Sequence, residues 1–113
     1  MSAEILIIDD NSDIREILND LIVEAGYSTR LAANYNQALT EIDKKLPDVA
    51  IIDVKLDKGD NDGIELLNHI KNKNENIPVI IISGHANIDM AIKSLKSGAF
   101  EFIQKPFDKE RLM

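Results

Sequence analysis

Short apolar runs, each ended by a polar residue, constrain the fold of this sequence more than any other feature. The runs cover residues 5–8, 50–52, 79–82 and 102–103, and the polar residues at or just after their ends are Asp9, Asp53, Ser83 and Lys105. Apolar runs of this length are typical of buried parallel strands. Ligands of open α/β sheets bind at the carboxyl ends of the strands, so these polar residues form the candidate site.

The segments between the runs have apolar residues at helical spacing and begin with residues that cap helices. Strands are predicted at residues 4–8, 27–31, 48–53, 79–82 and 99–103. The fourth helix is predicted to direct Ile88, Ala91, Ile92 and Leu95 inward. A fifth helix beginning near Asp108 is cut short at Met113. This alternation predicts an α/β fold, a flavodoxin-like (βα)5 three-layer sandwich with parallel strand order 2-1-3-4-5 and a truncated fifth helix.

Length and charge narrow the functional classes. The chain has 113 residues, which predicts one domain spanning 1–113, and the formal net charge of -7 disfavours binding to nucleic acid or anionic lipid. The absence of cysteine excludes disulfides and thiolate metal sites. No signal peptide or membrane span is recognisable, so we expect a cytoplasmic domain. The truncated end indicates a piece of a longer protein.

The predicted strand order brings three carboxylates together. Asp53 lies centrally, with Asp9 and Asp10 on one side and with Ser83 and Lys105 on the other. Neighbouring strands are about 4.8 Å apart, so the carboxylates would repel one another and be harder to ionise. A hard divalent cation relieves this repulsion, and Mg²⁺ prefers oxygen ligands. Such a cation beside a carboxylate, a hydroxyl and a lysine is suited to phosphoryl transfer onto the carboxylate.

Each of these residues alone has a plainer interpretation. An Asp at a strand end is usually a turn or helix cap, and a lysine before a proline is usually a solvated loop residue. The functional interpretation therefore depends on their conjunction at one end of one predicted sheet.

Together these motifs resemble the receiver domains of two-component response regulators. The resemblance covers the whole chain except the end of helix five, and its motifs are Asp9-Asp10, Asp53, Ser83-Gly84 and Lys105-Pro106-Phe107. It implies a phosphoacceptor domain that takes a phosphoryl group from a sensor histidine kinase and switches conformation to control an attached output in transcription regulation. Such a domain is not an enzyme in its own right, although it assists its own phosphorylation and slow dephosphorylation.

The resemblance also implies how the phosphoryl group and the metal are held. Asp53 is the phosphoacceptor. Asp10 and Asp53 are direct Mg²⁺ ligands, Asp9 acts largely through water, and the backbone carbonyl of Lys55 is a further ligand.

Four residues on the other side of the site receive roles in the same way. Ser83 hydrogen-bonds the phosphoryl oxygen and Lys105 pairs with it. Ser83 also moves together with Phe102, the aromatic switch residue, although the sequence alone favours an ordinary core position for that ring. The Lys105–Pro106 peptide bond is expected to be cis.

Residues 82–87 and 98–107 place the resemblance closest to the NtrX-like nitrogen-regulation subgroup. Full-length members add an ATPase module that works on sigma-54 RNA polymerase and a DNA-binding helix-turn-helix, and neither lies in these residues. The expected partners are a sensor histidine kinase and those output domains, with no direct nucleic-acid binding by this chain. A homodimer would use helix four, strand five and helix five, so we expect weak or no phosphorylation-dependent dimerisation of the truncated chain.

The loop after Asp53 departs from the general receiver pattern. Asp57 stands where most receivers have a proline, and the stretch to Gly63 is longer by two residues. Asp57, Asp60 and Asp62 could tighten Mg²⁺ binding or guide kinase choice, but solvation is their expected state.

Three other functions compete with the phosphoacceptor. A haloacid dehalogenase-like hydrolase needs an Asp two residues after the nucleophile, where this chain has Lys55. A nucleotide-binding domain needs a Gly-rich or hydroxyl-rich loop after strand one, where the acidic residues 9–13 would repel phosphate. A receiver-like interaction module that is never phosphorylated stays open as the alternative.

Overall fold

Five strands alternate with four helices in the computed structural model, which describes residues 3–59, 61–84 and 88–105. The elements in chain order are β1 (Glu4–Ile8), α1 (Ser12–Glu24), β2 (Ser28–Ala32), α2 (Tyr35–Lys44), β3 (Val49–Asp53), α3 (Asp62–Lys73), β4 (Val79–Ser83), α4 (Ile88–Lys96) and β5 (Glu101–Gln104). The predicted alternation is confirmed, with strand bounds displaced by at most two residues. The helix predicted from Asp108 lies outside the described residues. None of the described helices is long and apolar enough to cross a membrane.

The strands form one sheet in the order β2-β1-β3-β4-β5, and every neighbouring pair is parallel. Both the strand order and the parallel pairing agree with the sequence prediction. The register pairs Asp53 with Ile82 and Ser83 with Gln104, so the strands end at nearly the same level. The carboxyl ends of β1, β3, β4 and β5 therefore meet at one edge.

The two faces of the sheet bury separate apolar clusters because successive strand side chains point to opposite faces. One cluster joins β1, β3 and β4 to α2 and α3, and its members include Leu6, Ile52, Ile81 and Leu67. The other joins the same strands to α1, and its members include Ile7, Ile51, Ile82 and Leu18. Burial on both faces explains why the strands read as continuous apolar runs.

The helix that follows β1 begins beside the sheet edge because its cap residue fixes the turn. The side chain of Asn11 accepts hydrogen bonds from the backbone N–H groups of Asp13 and Ile14. At the other end of α1, Gly26 has φ +101°, a conformation that residues with a Cβ rarely adopt, so this glycine lets the chain leave the helix.

The face that α4 turns inward differs from the prediction. Ile88, Ile92 and Leu95 are exposed to 78%, 46% and 50%, whereas Ser94 is fully buried. The Ser94 hydroxyl donates to the Met90 carbonyl at 2.8 Å, which satisfies a polar group that would otherwise be costly to bury. The prediction was wrong because this internal hydrogen bond lets the less apolar face of the helix pack against the sheet.

Candidate functional site

The predicted polar residues do converge at the carboxyl edge of the sheet. Asp9 follows β1, Asp53 is the last residue of β3, Ser83 is the last residue of β4, and Lys105 follows β5. A cleft of about 240 Å³ opens between these strand ends. The residues that line it are Asp10, Asn11, Asp53, Lys55, Leu56, Gly84 and Lys105.

Three carboxylates form a compact acidic group in this cleft. One oxygen each from Asp9, Asp10 and Asp53 lies within 4.8 Å of the other two. Asp9 is fully buried and Asp53 is 6% exposed, whereas Asp10 is exposed. The group therefore has two carboxylates in the protein interior and a third open to solvent, an arrangement that could hold a metal ion.

Lys105 places a positive charge against the two buried carboxylates. Its ammonium nitrogen lies 2.9 Å from Asp9 Oδ2 and donates a 3.4 Å hydrogen bond to Asp53 Oδ2. The lysine side chain is 17% exposed, so solvent screens these ion pairs less than it would at an open surface. One lysine offsets only part of the charge of three carboxylates.

The pKa of Asp53 is raised because its negative charge is compensated only in part. Burial and then the neighbouring Asp9 charge raise the pKa of Asp53 from 3.8 to about 6. The Lys105 ammonium and a hydrogen bond from the backbone N–H of Lys55 oppose the rise without cancelling it. Asp53 is therefore mostly ionised at neutral pH but carries an unfavourable charge in the absence of a further cation.

Asp9 is held rigidly by the β1–α1 turn. Its Oδ1 accepts from the backbone N–H of Asn11 at 2.9 Å, and its backbone carbonyl accepts from the Arg15 guanidinium at 2.8 Å. Its Oδ2 is buried and ion-paired with Lys105 at 2.9 Å, but within the described residues no hydrogen bond of regular geometry reaches it. A buried carboxylate oxygen in this state is suited to a cation or to a water bound to one. No motif in the sequence indicated the contribution of Arg15.

The start of α3 lies directly against the strand that carries Asp53. The Gly63 N–H donates to the Val54 carbonyl at 2.9 Å, and the Val54 N–H donates to the Ile82 carbonyl at 2.9 Å. A Cβ on Gly63 would lie 2.6 Å from the Asp53 carbonyl oxygen. Only glycine allows this approach without a shift of the backbone, so Gly63 is a site-supporting residue whose role sequence reasoning missed.

Ser83 lies beside the cleft, as expected, whereas the ring of Phe102 packs against the core. Ser83 is buried at the end of β4, beside the cleft residue Gly84. The half-buried ring of Phe102 packs against the apolar cluster on the α2–α3 face of the sheet. The core role that the sequence favoured for Phe102 is therefore present, and its switch role stays a prediction. Pro106 lies outside the described residues.

The acidic loop after β3 was expected to be solvated, but one of its aspartates is buried. Asp62 is 2% exposed, and its Oδ2 accepts from the backbone N–H groups of Lys58 and Gly59 at 2.8 and 2.9 Å. Asp57 is exposed, but its Oδ1 accepts from the Tyr35 N–H at 2.9 Å, at the start of α2. Asp60 lies outside the described residues. The expectation of solvation was therefore wrong for Asp62, because backbone donors of its own loop satisfy the carboxylate in the protein interior.

Comparison with known proteins agrees with this geometry. A family model described as the response regulator receiver domain matches residues 5–113. The nitrogen assimilation regulatory protein NtrX of Azorhizobium caulinodans is 41% identical over 113 residues, which is all of this chain and 25% of that protein. The chain thus spans about a quarter of the length of such relatives.

Two further proteins match over most of their own length. Sporulation initiation phosphotransferase F of Bacillus subtilis is 40% identical over 112 residues, which cover 99% of this chain and 89% of that protein. The crystal structure of the receiver domain of NtrX from Brucella abortus has a TM-score of 0.87 and 38% identity, and covers 96% of this chain and 90% of that one. The sequence resemblance to NtrX-like receivers is confirmed by both kinds of comparison.

Proposed function

Because this chain belongs to the family of response regulator receiver domains, we propose that a sensor histidine kinase phosphorylates it on Asp53. The phosphorylated domain then changes conformation to control an attached output. The observation that carries the proposal is the buried Asp53 carboxylate, which lies within 4.8 Å of two other carboxylates and 3.4 Å from Lys105.

The acidic group fits Mg²⁺ as the cofactor. Asp9 Oδ2 is buried with Lys105 as an ion-pair partner but with no regular hydrogen bond from the described residues, and the pKa of Asp53 is raised; both indicate that a further positive charge would be favourable here. Asp10, Asp53 and the backbone carbonyl of Lys55 would be direct ligands, and Asp9 would act largely through water. When bound, Mg²⁺ would offset the carboxylates and the charge on the phosphoryl oxygens.

Asp53 is the nucleophile in the proposed transfer. One of its carboxylate oxygens forms a bond to phosphorus while the bond from phosphorus to the donor imidazole nitrogen breaks, and the donor keeps the electron pair. A pKa of about 6 leaves Asp53 ionised at neutral pH, and its burial deprives the carboxylate of hydrogen bonds from water that would weaken it as a nucleophile.

Ser83 and Lys105 stabilise the product in this proposal. The Ser83 hydroxyl donates to a phosphoryl oxygen, and the Lys105 ammonium, already 3.4 Å from Asp53 Oδ2, pairs with the phosphoryl charge. A cis Lys105–Pro106 bond would help to aim the lysine. The inward movement of Ser83 opens space that the half-buried ring of Phe102 can fill, which biases a two-state equilibrium towards the active form.

The proposed output lies beyond these residues. We infer that 1–113 forms one receiver domain, joined in the cytoplasmic full-length protein to ATPase and DNA-binding domains like those of NtrX-type regulators. The formal net charge of -7 supports regulation through protein contacts rather than direct nucleic-acid binding by this domain. Its catalytic part is limited to assisting its own phosphorylation and slow dephosphorylation.

Intact mass after incubation with a small-molecule phosphodonor tests the proposal. The chain should gain about 80 Da, one phosphoryl group, only when Mg²⁺ is present. Asp53→Asn should gain nothing, whereas Asp20→Asn, which changes an exposed acid on α1, should gain the same mass as the unmodified chain. A folded chain that never gains this mass would instead support the interaction module that is not phosphorylated.

A further inference from the structure

Asp62 is a buried carboxylate that the phosphoacceptor chemistry does not use. It is 2% exposed and opens α3, and it does not line the cleft. Its Oδ2 accepts hydrogen bonds from two backbone N–H groups of the preceding loop, those of Lys58 and Gly59, at 2.8 and 2.9 Å. Burial of a carboxylate is costly unless hydrogen bonds compensate it, so these bonds fix the path of the loop.

Lys55 lies on the short stretch of chain that these bonds hold. On one side of it, Val54 is fixed by hydrogen bonds to Ile82 and Gly63, and on the other side Leu56 is 4% exposed in the core. Lys55 and Leu56 both line the cleft. The Lys55 N–H donates to Asp53, so the peptide group that joins Val54 to Lys55 faces the acidic group.

We propose that Asp62 is a positioning residue for the metal site, which it serves by holding the loop so that the Lys55 carbonyl faces the cleft. This inference rests on the proposed function, because it takes the Lys55 carbonyl as a Mg²⁺ ligand. Asp62 itself touches neither the metal nor the phosphoryl group. It acts through the Lys58 and Gly59 amides.

Asp57 offers a matched control in the same loop. It carries the same charge and also binds a backbone N–H, but its partner is Tyr35 at the start of α2 rather than a residue of its own loop. Removing the Asp57 carboxylate therefore changes loop charge without releasing the Lys58 and Gly59 amides. The two aspartates separate the effect of loop position from the effect of loop charge.

The test is titration of the ¹⁵N-labelled chain with Mg²⁺ alone. The readout is the amide chemical shifts of Asn11 and Gly84, which line the cleft. Loss of a partner that orients a metal ligand typically weakens metal binding by about 10- to 100-fold. Because Lys55 would be one ligand among several, we expect Asp62→Ala to raise the Mg²⁺ dissociation constant about 10-fold. Asp57→Ala should leave it unchanged.

Two conservative variants separate geometry from charge and remain informative if Asp62→Ala does not fold. Asp62→Asn keeps an acceptor oxygen in place, so its dissociation constant should stay within about threefold of the unmodified value. Asp62→Glu keeps the charge but moves the oxygens by one methylene, so it should bind Mg²⁺ as weakly as Asp62→Ala. Amide hydrogen exchange at Lys58 and Gly59 should accelerate in Asp62→Ala and Asp62→Glu only.

The outcomes distinguish this inference from the proposed function. If the unmodified chain binds Mg²⁺ and a folded Asp62→Ala or Asp62→Glu variant binds it equally well, the positioning role is overturned. The proposed function would not be affected by that result. An equal loss in Asp57→Ala would also overturn it, because loop charge would then be the cause. If the unmodified chain bound no Mg²⁺ in the cleft, the proposed function would fail and the inference with it.

Discussion

Replacement of Asp53 by asparagine should stabilise the metal-free protein, although it destroys the proposed phosphoacceptor. The Asp53 carboxylate is 6% exposed and lies near the charge of Asp9, and among the described residues Lys105 and the Lys55 N–H compensate it in part. Asparagine has nearly the same shape and no charge, so the variant removes the electrostatic penalty while keeping the packing.

The magnitude follows from the pKa of Asp53. A rise from 3.8 to about 6 corresponds to about 3 kcal/mol of free energy between the two protonation states. Because the carboxylate borders an open cleft, solvent screening reduces the expected gain to about 2 kcal/mol.

The sign of the pH dependence follows from proton linkage. Between pH 3.8 and about 6 the folded state holds the Asp53 proton more tightly than the unfolded state, so the free energy of unfolding falls as the pH rises. Above that window the penalty is complete. The advantage of Asp53→Asn should therefore be about 0.5 kcal/mol at pH 4 and about 2 kcal/mol at pH 7.5.

Urea unfolding in EDTA, monitored by circular dichroism across this pH range, measures the difference in free energy of unfolding between the variant and the unmodified chain. Asp20→Asn serves as the control, since Asp20 is exposed on α1 and its replacement should change stability by less than about 0.5 kcal/mol. A gain for Asp53→Asn that is absent at pH 7.5, or equal at pH 4 and pH 7.5, would refute the electrostatic argument.

Three further predictions concern the frame of the site and its cation. Gly63→Ala should cost about 1–3 kcal/mol in urea unfolding, because its Cβ would lie 2.6 Å from the Asp53 carbonyl oxygen. Gly59→Ala should be nearly neutral, because its Cβ would lie 3.9 Å from Asp62 Oδ1, an ordinary contact distance. Asn11→Ala should cost about 1 kcal/mol by loss of the α1 cap, and an unchanged melting temperature would contradict it. Mg²⁺ at 100 times its dissociation constant should stabilise the unmodified chain by about 2.7 kcal/mol, reversibly with EDTA, and Asp53→Asn by less; equal stabilisation of both would place the cation elsewhere.

The topology could be predicted because each local signal agreed with the others. The β1, β3 and β4 segments are mostly apolar because both faces of the sheet are covered. Residues 27–31 alternate rather than run apolar, which suits an edge strand, and β2 does lie at the edge of the sheet. Parallel strands then bring residues at their carboxyl ends to one edge, whatever lies between them in sequence. This is why Asp9, Asp53 and Lys105 could be brought together from sequence alone.

Features that depend on backbone donors or on competing helix faces could not be predicted in this way. The burial of Asp62 depends on the Lys58 and Gly59 amides, and no side-chain pattern encodes their direction. The inward face of α4 depends on Ser94 satisfying its hydroxyl within the helix. The apolar stripe of a helix marks a face suited to burial, but it does not identify the surface that packs against that face.

The most direct test of the central claim is to locate the phosphoryl group on the chain. Borohydride reduces an aspartyl phosphate to homoserine, and trypsin then releases residues 46–55, a peptide that holds both Asp48 and Asp53. Fragment masses distinguish the two positions. The account predicts conversion at Asp53 alone, and only when the phosphodonor was supplied with Mg²⁺. Conversion at Asp48, at Asp10 or equally without Mg²⁺ would contradict it.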